Sequence, residues 1–296
     1  MNSVKIRANA KVNLWLDITG KRPDGYHTLR TVMLSVGIAD TVSIARRESG
    51  ISVSCNGAGG PTGERNIAWK AAAAFLTRTG LSGGAEIKIE KNIPVQAGVG
   101  GGSADAAAVL WGMNLLFDLP LAPQELYGLG LTVGADVPFC LCGGCTELSG
   151  LGEEAENRFP LPETWLVLVK PAGGVSTPAA YGELDRLYPA FDAKRSLAPL
   201  REALLGAEPL ETDNLLYNIF EDVLPALSPE TREVLEAMRK LTPAALLSGS
   251  GNAVFGLFES SEAAQAALRK IREQFPGIPG TVTTPEPKGL VLEETE

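Results

Sequence analysis

One stretch of the 296-residue chain gathers the residue types that could hold a phosphate chain: Pro94-Val95-Gln96-Ala97-Gly98-Val99-Gly100-Gly101-Gly102-Ser103-Ala104-Asp105. Glycines let the backbone turn through positive φ and let a ligand approach the main chain closely. The residues that follow predict a helix over 103–117, and a helix N-terminus presents unpaired N–H groups and the positive end of the helix dipole. Ser103 is expected at the N-cap, where its hydroxyl could cap the helix, touch a phosphate or touch a metal ion. Two familiar phosphate motifs do not fit. A Walker A loop requires Gly-Lys-Ser/Thr, and the only Gly-Lys pair, Gly20-Lys21, is followed by Arg22. The dinucleotide fingerprint requires glycine at 103 after Gly98 and Gly100, where this chain has serine. A flexible loop ahead of a capped helix has the same composition, so the loop alone does not decide.

Other chemistries are narrowed by what the chain lacks. His27 is the only histidine, which excludes a multi-histidine metal centre and leaves one candidate for any Ser-His-Asp triad. Cys140, Cys142 and Cys145 form a C-x-C-x-x-C pattern, but a closed zinc site takes four ligands and Cys55 is distant in sequence. Cys140 and Cys142 alternate with Phe139 and Leu141 as buried strand residues would.

The elements that must position the loop read as mixed α and β. Period-two alternation predicts strands over 4–8, 12–16, 31–36, 41–45 and 85–90. An Ala-rich run ending before Gly80 predicts a helix over 66–79. Beyond the loop, strands are expected over 164–170 and 253–258, and helices over 177–187, 215–224, 231–241 and 262–275. Early strands separated by single helices argue for an α+β fold rather than a doubly wound parallel sheet. Gly, Glu and Pro across 150–162 mark the expected seam, giving domains 1–155 and 156–296. The Pro- and Glu-rich tail, 284–296, is expected to be peripheral.

Composition bounds the partners. Hydrophobic residues make up 45% of the chain and charged residues 21%, enough to build a full core. Lys plus Arg number 26 against 35 acidic residues, a net charge of -9, which argues against nonspecific nucleic-acid binding. The opening segment has no continuous apolar core, and no stretch reaches the roughly 20 apolar residues of a membrane span. With cysteines too few for a disulfide framework, a soluble, cytoplasmic protein without a membrane partner is expected.

Three further segments bear on the loop. They are Ala10-Lys11-Val12-Asn13-Leu14 followed by Arg22-Pro23-Asp24-Gly25-Tyr26-His27, then Gly134-Ala135-Asp136-Val137-Pro138, then Ser248-Gly249-Ser250-Gly251-Asn252-Ala253-Val254-Phe255. Together with the glycine loop, this set resembles the GHMP small-molecule kinases from about residue 5 to about residue 275. The resemblance implies an N-terminal domain similar to the second domain of ribosomal protein S5, a ferredoxin-like C-terminal domain and an active site in the cleft between them. Within the superfamily the set is most similar to the members that move the γ-phosphoryl of ATP, with Mg²⁺, to the 2-hydroxyl of a cytidyl-methylerythritol in isoprenoid precursor synthesis. The family loop often has glycine where this chain has Gln96 and Ala97, which puts the geometry of the first turn in question.

The resemblance assigns roles residue by residue. Asp136 matches the catalytic carboxylate that accepts the hydroxyl proton, and Lys11 matches the lysine that keeps it ionised and polarises the hydroxyl or the γ-phosphate. Taken singly, Asp136 is also a turn residue and Lys11 a solvated strand lysine. Tyr26 and His27 match a pair in which the tyrosine stacks on cytosine and the histidine bonds its polar edge, and Tyr181 falls where a ring covers the other face. Asn13 matches a polar contact to the methylerythritol. For ATP, the loop from Pro94 to Ala104 is joined by Asn66 and Lys91 near the adenine pocket; a helix N-cap and a surface charge are the alternative readings of those two. Ser103 is the candidate Mg²⁺ contact. The turn over 248–251 could touch a phosphate, shape the cleft or be a tight turn only. The competing functions are another GHMP kinase, acting on homoserine, mevalonate or a sugar, and a catalytically silent nucleotide-binding relative. The Asp-Gly-Tyr-His segment argues against the first, and joint retention of Lys11 and Asp136 against the second.

Overall fold

In the computed structural model, β1 (Ser3–Lys21) and β2 (His27–Arg47) are single long antiparallel strands where the alternation predicted two short ones each. Their register shifts between Asn9 and Ala10, Asn13 and Trp15, and Ile18 and Gly20. At the first of these Gly37 and Ile38 of β2 have no partner on β1, and this irregularity falls between the predicted segments, so one continuous strand reads as separate ones. The structure describes residues 2–56, 60–173, 175–191, 195–212 and 214–295.

The chain continues through β3 (Gly50–Asn56), α1 (Ile67–Thr79), β4 (Gly84–Glu90), α2 (Gly101–Leu116), α3 (Pro123–Val133) and α4 (Val137–Cys142). The hairpin β5 (Cys145–Ser149) and β6 (Glu154–Phe159) completes this half. The second half holds β7 (Trp165–Val169), α5 (Thr177–Leu187), α6 (Ala198–Gly206), β8 (Tyr217–Asn218), α7 (Leu224–Leu227) and α8 (Pro229–Arg239). It ends with β9 (Ala245–Leu247), β10 (Val254–Phe258), α9 (Ser261–Gln274), β11 (Gly280–Thr283) and β12 (Leu290–Thr295).

Two sheets carry these elements. The first has the path β12-β1-β2-β4-β3, with β5 and β6 added beside β2 and β8 beside β1. The second runs β11-β7-β10-β9, all antiparallel. In chain order that is fourth, first, third, second, with helices crossing after the first and third strands. This is the ferredoxin-like arrangement, and the α+β class expected from the sequence holds. The boundary expected after 155 falls inside β6, whose partner β5 belongs to the first sheet.

Helix α2 sits at the centre of the first half. Ala104, Ala106, Ala107, Ala108, Val109, Leu110 and Met113 are all buried, so the helix is enclosed on every side. That enclosure fixes the direction in which its N-terminus points.

Several expectations are corrected. The segment 215–224 is not a helix: β8 pairs in parallel with Trp15 and Leu16, and a 3₁₀ turn over Ile219–Val223 follows. Asn218 takes the N–H of Phe220 with its own side chain, which competes with a regular helix there. Cys140 and Cys142 lie on α4, not on a strand; six residues are too few to tell the two periods apart. The tail is not peripheral, because β12 pairs with the open edge of β1 and buries Leu290. Its last residue, Glu296, lies outside the described residues. The helices α3, α6 and α7 and the strands β3, β5, β6, β9 and β11 were not expected.

Candidate active site

The glycine loop connects β4 to α2. Gly98 and Gly100 take left-handed φ values of 78° and 74°, and Gly100 is the N-cap of α2 with no side-chain cap. The intrahelical ladder starts at the Ala104 N–H bonded to the Gly100 carbonyl. The N–H groups of Gly101, Gly102 and Ser103 therefore have no partner within the helix. Ser103 is thus the third helical residue rather than the N-cap, because glycine at 100 ends the loop three residues earlier. Gln96 also adopts a left-handed φ of 57°, so the chain keeps a glycine-type turn with a side chain on it.

This loop lines a cavity of about 350 Å³ together with Asn66, Lys91 and Cys55. Asn66 is the N-cap of α1: its Oδ1 accepts the Ala68 N–H at 2.9 Å, and its Nδ2 donates to the Pro61 carbonyl. Lys91 is no surface charge. It is buried between Asp105, 2.8 Å away, and Asp40. Burial works against its charge, but the two carboxylates prevail and hold its pKa above the usual value. Burial pushes the Asp105 carboxyl up, with Lys91 opposing and Asp40 adding to the rise. Asp40 also accepts the N–H groups of Asn92 and Ile93, which ties the start of the loop to β2.

Lys11, on β1, is only 4% exposed, contrary to a solvated strand lysine. Its Nζ donates to Asn13 Oδ1 at 2.8 Å and to the Gly98 carbonyl at 3.2 Å, and lies 3.3 Å from Asp136 Oδ2. Asn13 in turn donates to Thr31, whose hydroxyl donates to the Trp15 carbonyl, so the amide orientation is fixed. Asp136 precedes α4 but its side chain caps nothing there. Its carboxylate is part-exposed and faces Lys11.

The turn over 248–251 backs the loop. The Ser248 hydroxyl donates to the Gly98 carbonyl at 3.1 Å, and the Ala253 N–H donates to the Ala97 carbonyl. A Cβ on Gly98 would meet the Ser248 carbonyl at 2.1 Å, and one on Gly251 would meet the Gly98 nitrogen at 2.4 Å. Only glycine permits this approach of the two halves of the chain. Asn218 holds the turn from behind, donating to the carbonyls of Leu247 and Gly249 at 2.8 Å each.

A second cavity, of about 870 Å³, is lined by Tyr26, His27, Gly134, Ala135, Tyr181 and Asp185 among others. Tyr26 is 65% exposed. Tyr181 stacks on His27 with ring centroids 4.8 Å apart, and its hydroxyl pKa is pushed up to about 12 by burial and by Asp136. His27 Nε2 lies 2.7 Å from Asp185 Oδ1, and Lys21 Nζ lies 2.6 Å from the other carboxylate oxygen. Burial alone would raise the Asp185 pKa, but hydrogen bonds from Lys21 and His27 hold it below the usual range.

The structure therefore brings Asn66, Lys91 and the loop from Pro94 to Ser103 around the first cavity and Tyr26, His27 and Tyr181 around the second, while Lys11, Asn13 and Asp136 line neither and meet one another beside Gly98. Asp185, Asp40, Thr31 and Asn218 were missed. Asp185 had a signal, since it lies four residues after Tyr181 on a predicted helix and so on the same face. Asp40, Thr31 and Asn218 had none, because their roles depend on strands brought together from distant parts of the chain. Among the described residues, no group of three or more His, Cys, Asp or Glu side chains is placed to hold a metal. Cys140 and Cys145 are buried, with thiol pKa values raised by burial, and Cys142 accepts a hydrogen bond from Tyr127.

Residues 66–144 match the family model of the GHMP kinases N terminal domain, and residues 190–277 match the model of the GHMP kinases C terminal domain. A 4-diphosphocytidyl-2-C-methyl-D-erythritol kinase from Desulfitobacterium hafniense (strain Y51) is 45% identical over 278 residues, covering 92% of this chain and 93% of that protein. One of the same name from Pelobacter propionicus is 42% identical over 275 residues, covering 92% and 96%. A crystal structure of 4-(cytidine 5'-diphospho)-2C-methyl-D-erythritol kinase superposes with a TM-score of 0.78 at 34% identity, covering 95% of this chain and 99% of that one. Homoserine kinase from Cytophaga hutchinsonii shares the fold, with a TM-score of 0.75 at 20% identity over 99% and 98% of the two chains. The chain belongs to the GHMP kinases, and within them to the family of 4-diphosphocytidyl-2-C-methyl-D-erythritol kinases.

Proposed function

We propose that the protein transfers the γ-phosphoryl of ATP to the 2-hydroxyl of 4-diphosphocytidyl-2-C-methyl-D-erythritol, a step in non-mevalonate isoprenoid precursor synthesis. ATP is the co-substrate of GHMP kinases, and no helix among the described residues is long and apolar enough to cross a membrane. The observation that carries the reading is the position of the Lys11–Asp136 pair. Lys11 contacts Gly98, which lines the first cavity, and Asp136 directly follows Gly134 and Ala135, which line the second. A phosphate donor in one cavity and an alcohol in the other would meet at this pair.

Phosphoryl transfer asks mainly for positioning and charge stabilisation. The first cavity takes the ATP phosphates on the free N–H groups of α2, with Asn66 and Lys91 bordering the base end. Lys91, already shared by two carboxylates, orders the loop rather than neutralising a phosphate. Tyr26, His27 and Tyr181 take the cytidyl group, and Asn13 the methylerythritol. Asp136 accepts the proton of the 2-hydroxyl as the oxygen attacks phosphorus, and Lys11 keeps that carboxylate ionised and polarises the reacting oxygens.

The donor set suits Mg²⁺ delivered on ATP: the Ser103 hydroxyl is a hard oxygen ligand, of the kind Mg²⁺ takes alongside phosphate oxygens and water. When bound it would neutralise charge on the phosphates. ATP and the cytidyl alcohol are metabolites of the cytoplasm, and the reading puts the protein there.

A coupled ADP-release assay across cytidyl-methylerythritol, homoserine, mevalonate and sugars tests the reading. Turnover confined to the cytidyl alcohol is expected, with Asp136→Asn lowering kcat by roughly 10²–10⁴ and leaving the KM for ATP little changed. Preference for another alcohol would overturn the substrate, and full kcat in the variant would remove Asp136 from the mechanism.

A further inference from the structure

His27 is the only histidine in the chain, and its ring has two nitrogens with different surroundings. Nε2 faces Asp185 Oδ1 at 2.7 Å. Nδ1 has no partner among the described residues. The ring is held by Tyr181 on its face, at 4.8 Å and 31°, and by Phe191 edge-on at 5.2 Å. An ionised carboxylate only accepts hydrogen bonds, so Nε2 must carry a proton. Lys21 sits 2.6 Å from the second Asp185 oxygen, so each oxygen of the carboxylate faces its own nitrogen partner. Asp185 and Lys21 come from α5 and the end of β1, so the two halves of the chain meet at this carboxylate.

We propose that Asp185 sets the identity of the pyrimidine by fixing the tautomer of His27. The proposal rests on the cytidyl reading given above. With the proton on Nε2, the nitrogen left to a ligand in the 870 Å³ cavity is an acceptor. Cytosine offers an amino donor at its 4-position, whereas uracil offers a carbonyl there. A uridyl group would set two lone pairs against each other, and a site built to receive a donor rejects an analogue that lacks it. In this proposal Asp185 is a positioning residue, acting through the ring.

The same geometry predicts how the selection is inverted. In Asp185→Asn, Lys21 has only N–H donors and claims the amide oxygen. The amide nitrogen then faces Nε2 and donates to it, which moves the ring proton to Nδ1 and presents a donor to the base. Removing the claim on that oxygen with Lys21→Met frees the amide to turn its oxygen toward Nε2–H again.

Two measurements test this. The first is kcat and KM with 4-diphosphocytidyl-2-C-methyl-D-erythritol and its uridine analogue. Asp185→Asn should lower the cytidyl-to-uridyl ratio of kcat/KM by roughly tenfold or more, with the change carried by KM. The double variant Asp185→Asn with Lys21→Met should recover a large part of the ratio, which a loss of folding or packing would not do. The second is nitrogen-15 NMR of the single imidazole near neutral pH, expected to show protonated Nε2 and unprotonated Nδ1 in the native enzyme and the reverse in Asp185→Asn. An unchanged ratio in Asp185→Asn, or a native ring protonated at Nδ1, overturns the proposal. An enzyme that turned over neither nucleotide would sink the functional reading instead, and the spectra would still decide where the proton resides.

Discussion

The cavity at the glycine loop is lined chiefly by the loop from Pro94 to Ser103 at the start of α2, with Asn66 and Lys91 at its border, whereas the cavity beyond Asp136 is lined by rings and charges carried on Tyr26, His27, Tyr181 and Asp185. The first presents N–H groups and a helix N-terminus, which recognise phosphate without regard to what it is attached to. The second presents side chains whose donors, acceptors and faces distinguish one base from another. A nucleotide that many kinases share can be held by backbone, and backbone geometry depends on where side chains are absent. A substrate particular to one kinase needs side chains, and those need second partners to hold their orientation. An acidic protein can bind polyanions in this way, since a net charge of -9 says little about the local field at α2 and Lys11.

Three substitutions separate the roles of the two cavities. The largest effect is expected from Gly98→Ala, because the new Cβ meets the Ser248 carbonyl at 2.1 Å on a left-handed backbone. Overpacking of this kind costs roughly 1–3 kcal/mol before the left-handed strain is added. Urea unfolding should show the loss, and ATP affinity should fall with it. Unaltered stability and affinity would mean that the loop does not depend on the close approach of the 248–251 turn.

Tyr26→Ala acts on the other cavity. The ring is 65% exposed, so little packing is lost, and the KM for the cytidyl substrate should rise by an amount worth roughly 1–3 kcal/mol of stacking. The KM for ATP should stay where it is. A rise shared by both substrates would contradict the separation of the cavities, and an unchanged cytidyl KM would remove Tyr26 from the base site.

Gln96→Gly is the mildest. It relieves the left-handed φ of 57° but adds chain entropy to the unfolded state, and the two effects oppose each other at about 1 kcal/mol each. The midpoint of unfolding should shift little and ATP binding should persist. A large loss would show that the Gln96 side chain, not the turn it occupies, matters to the loop.

The motifs were legible because each is contiguous. Pro94 to Asp105, Ala10 to Leu14 and Gly134 to Pro138 each carry their residue types within one turn or one strand. The ferredoxin-like half was harder to read in detail. Residues 215–224 look helical, and only the pairing of Tyr217 and Asn218 with Trp15 and Leu16 makes them otherwise. The tail looked peripheral because its polarity hides the edge of β1 that it covers.

By itself the sequence determined the class of chemistry. Positive-φ glycines, a helix start, and a lysine and a carboxylate in recognisable settings are local properties of the chain, fixed by backbone sterics and residue type. Only the tertiary structure decided that Lys11 and Asp136 lie 3.3 Å apart and that Lys91 is buried between two carboxylates. It also decided that the lone histidine is held by Asp185. Those facts depend on strands and helices far apart in the chain being brought within hydrogen-bond reach, and burial then sets how strongly their charges interact.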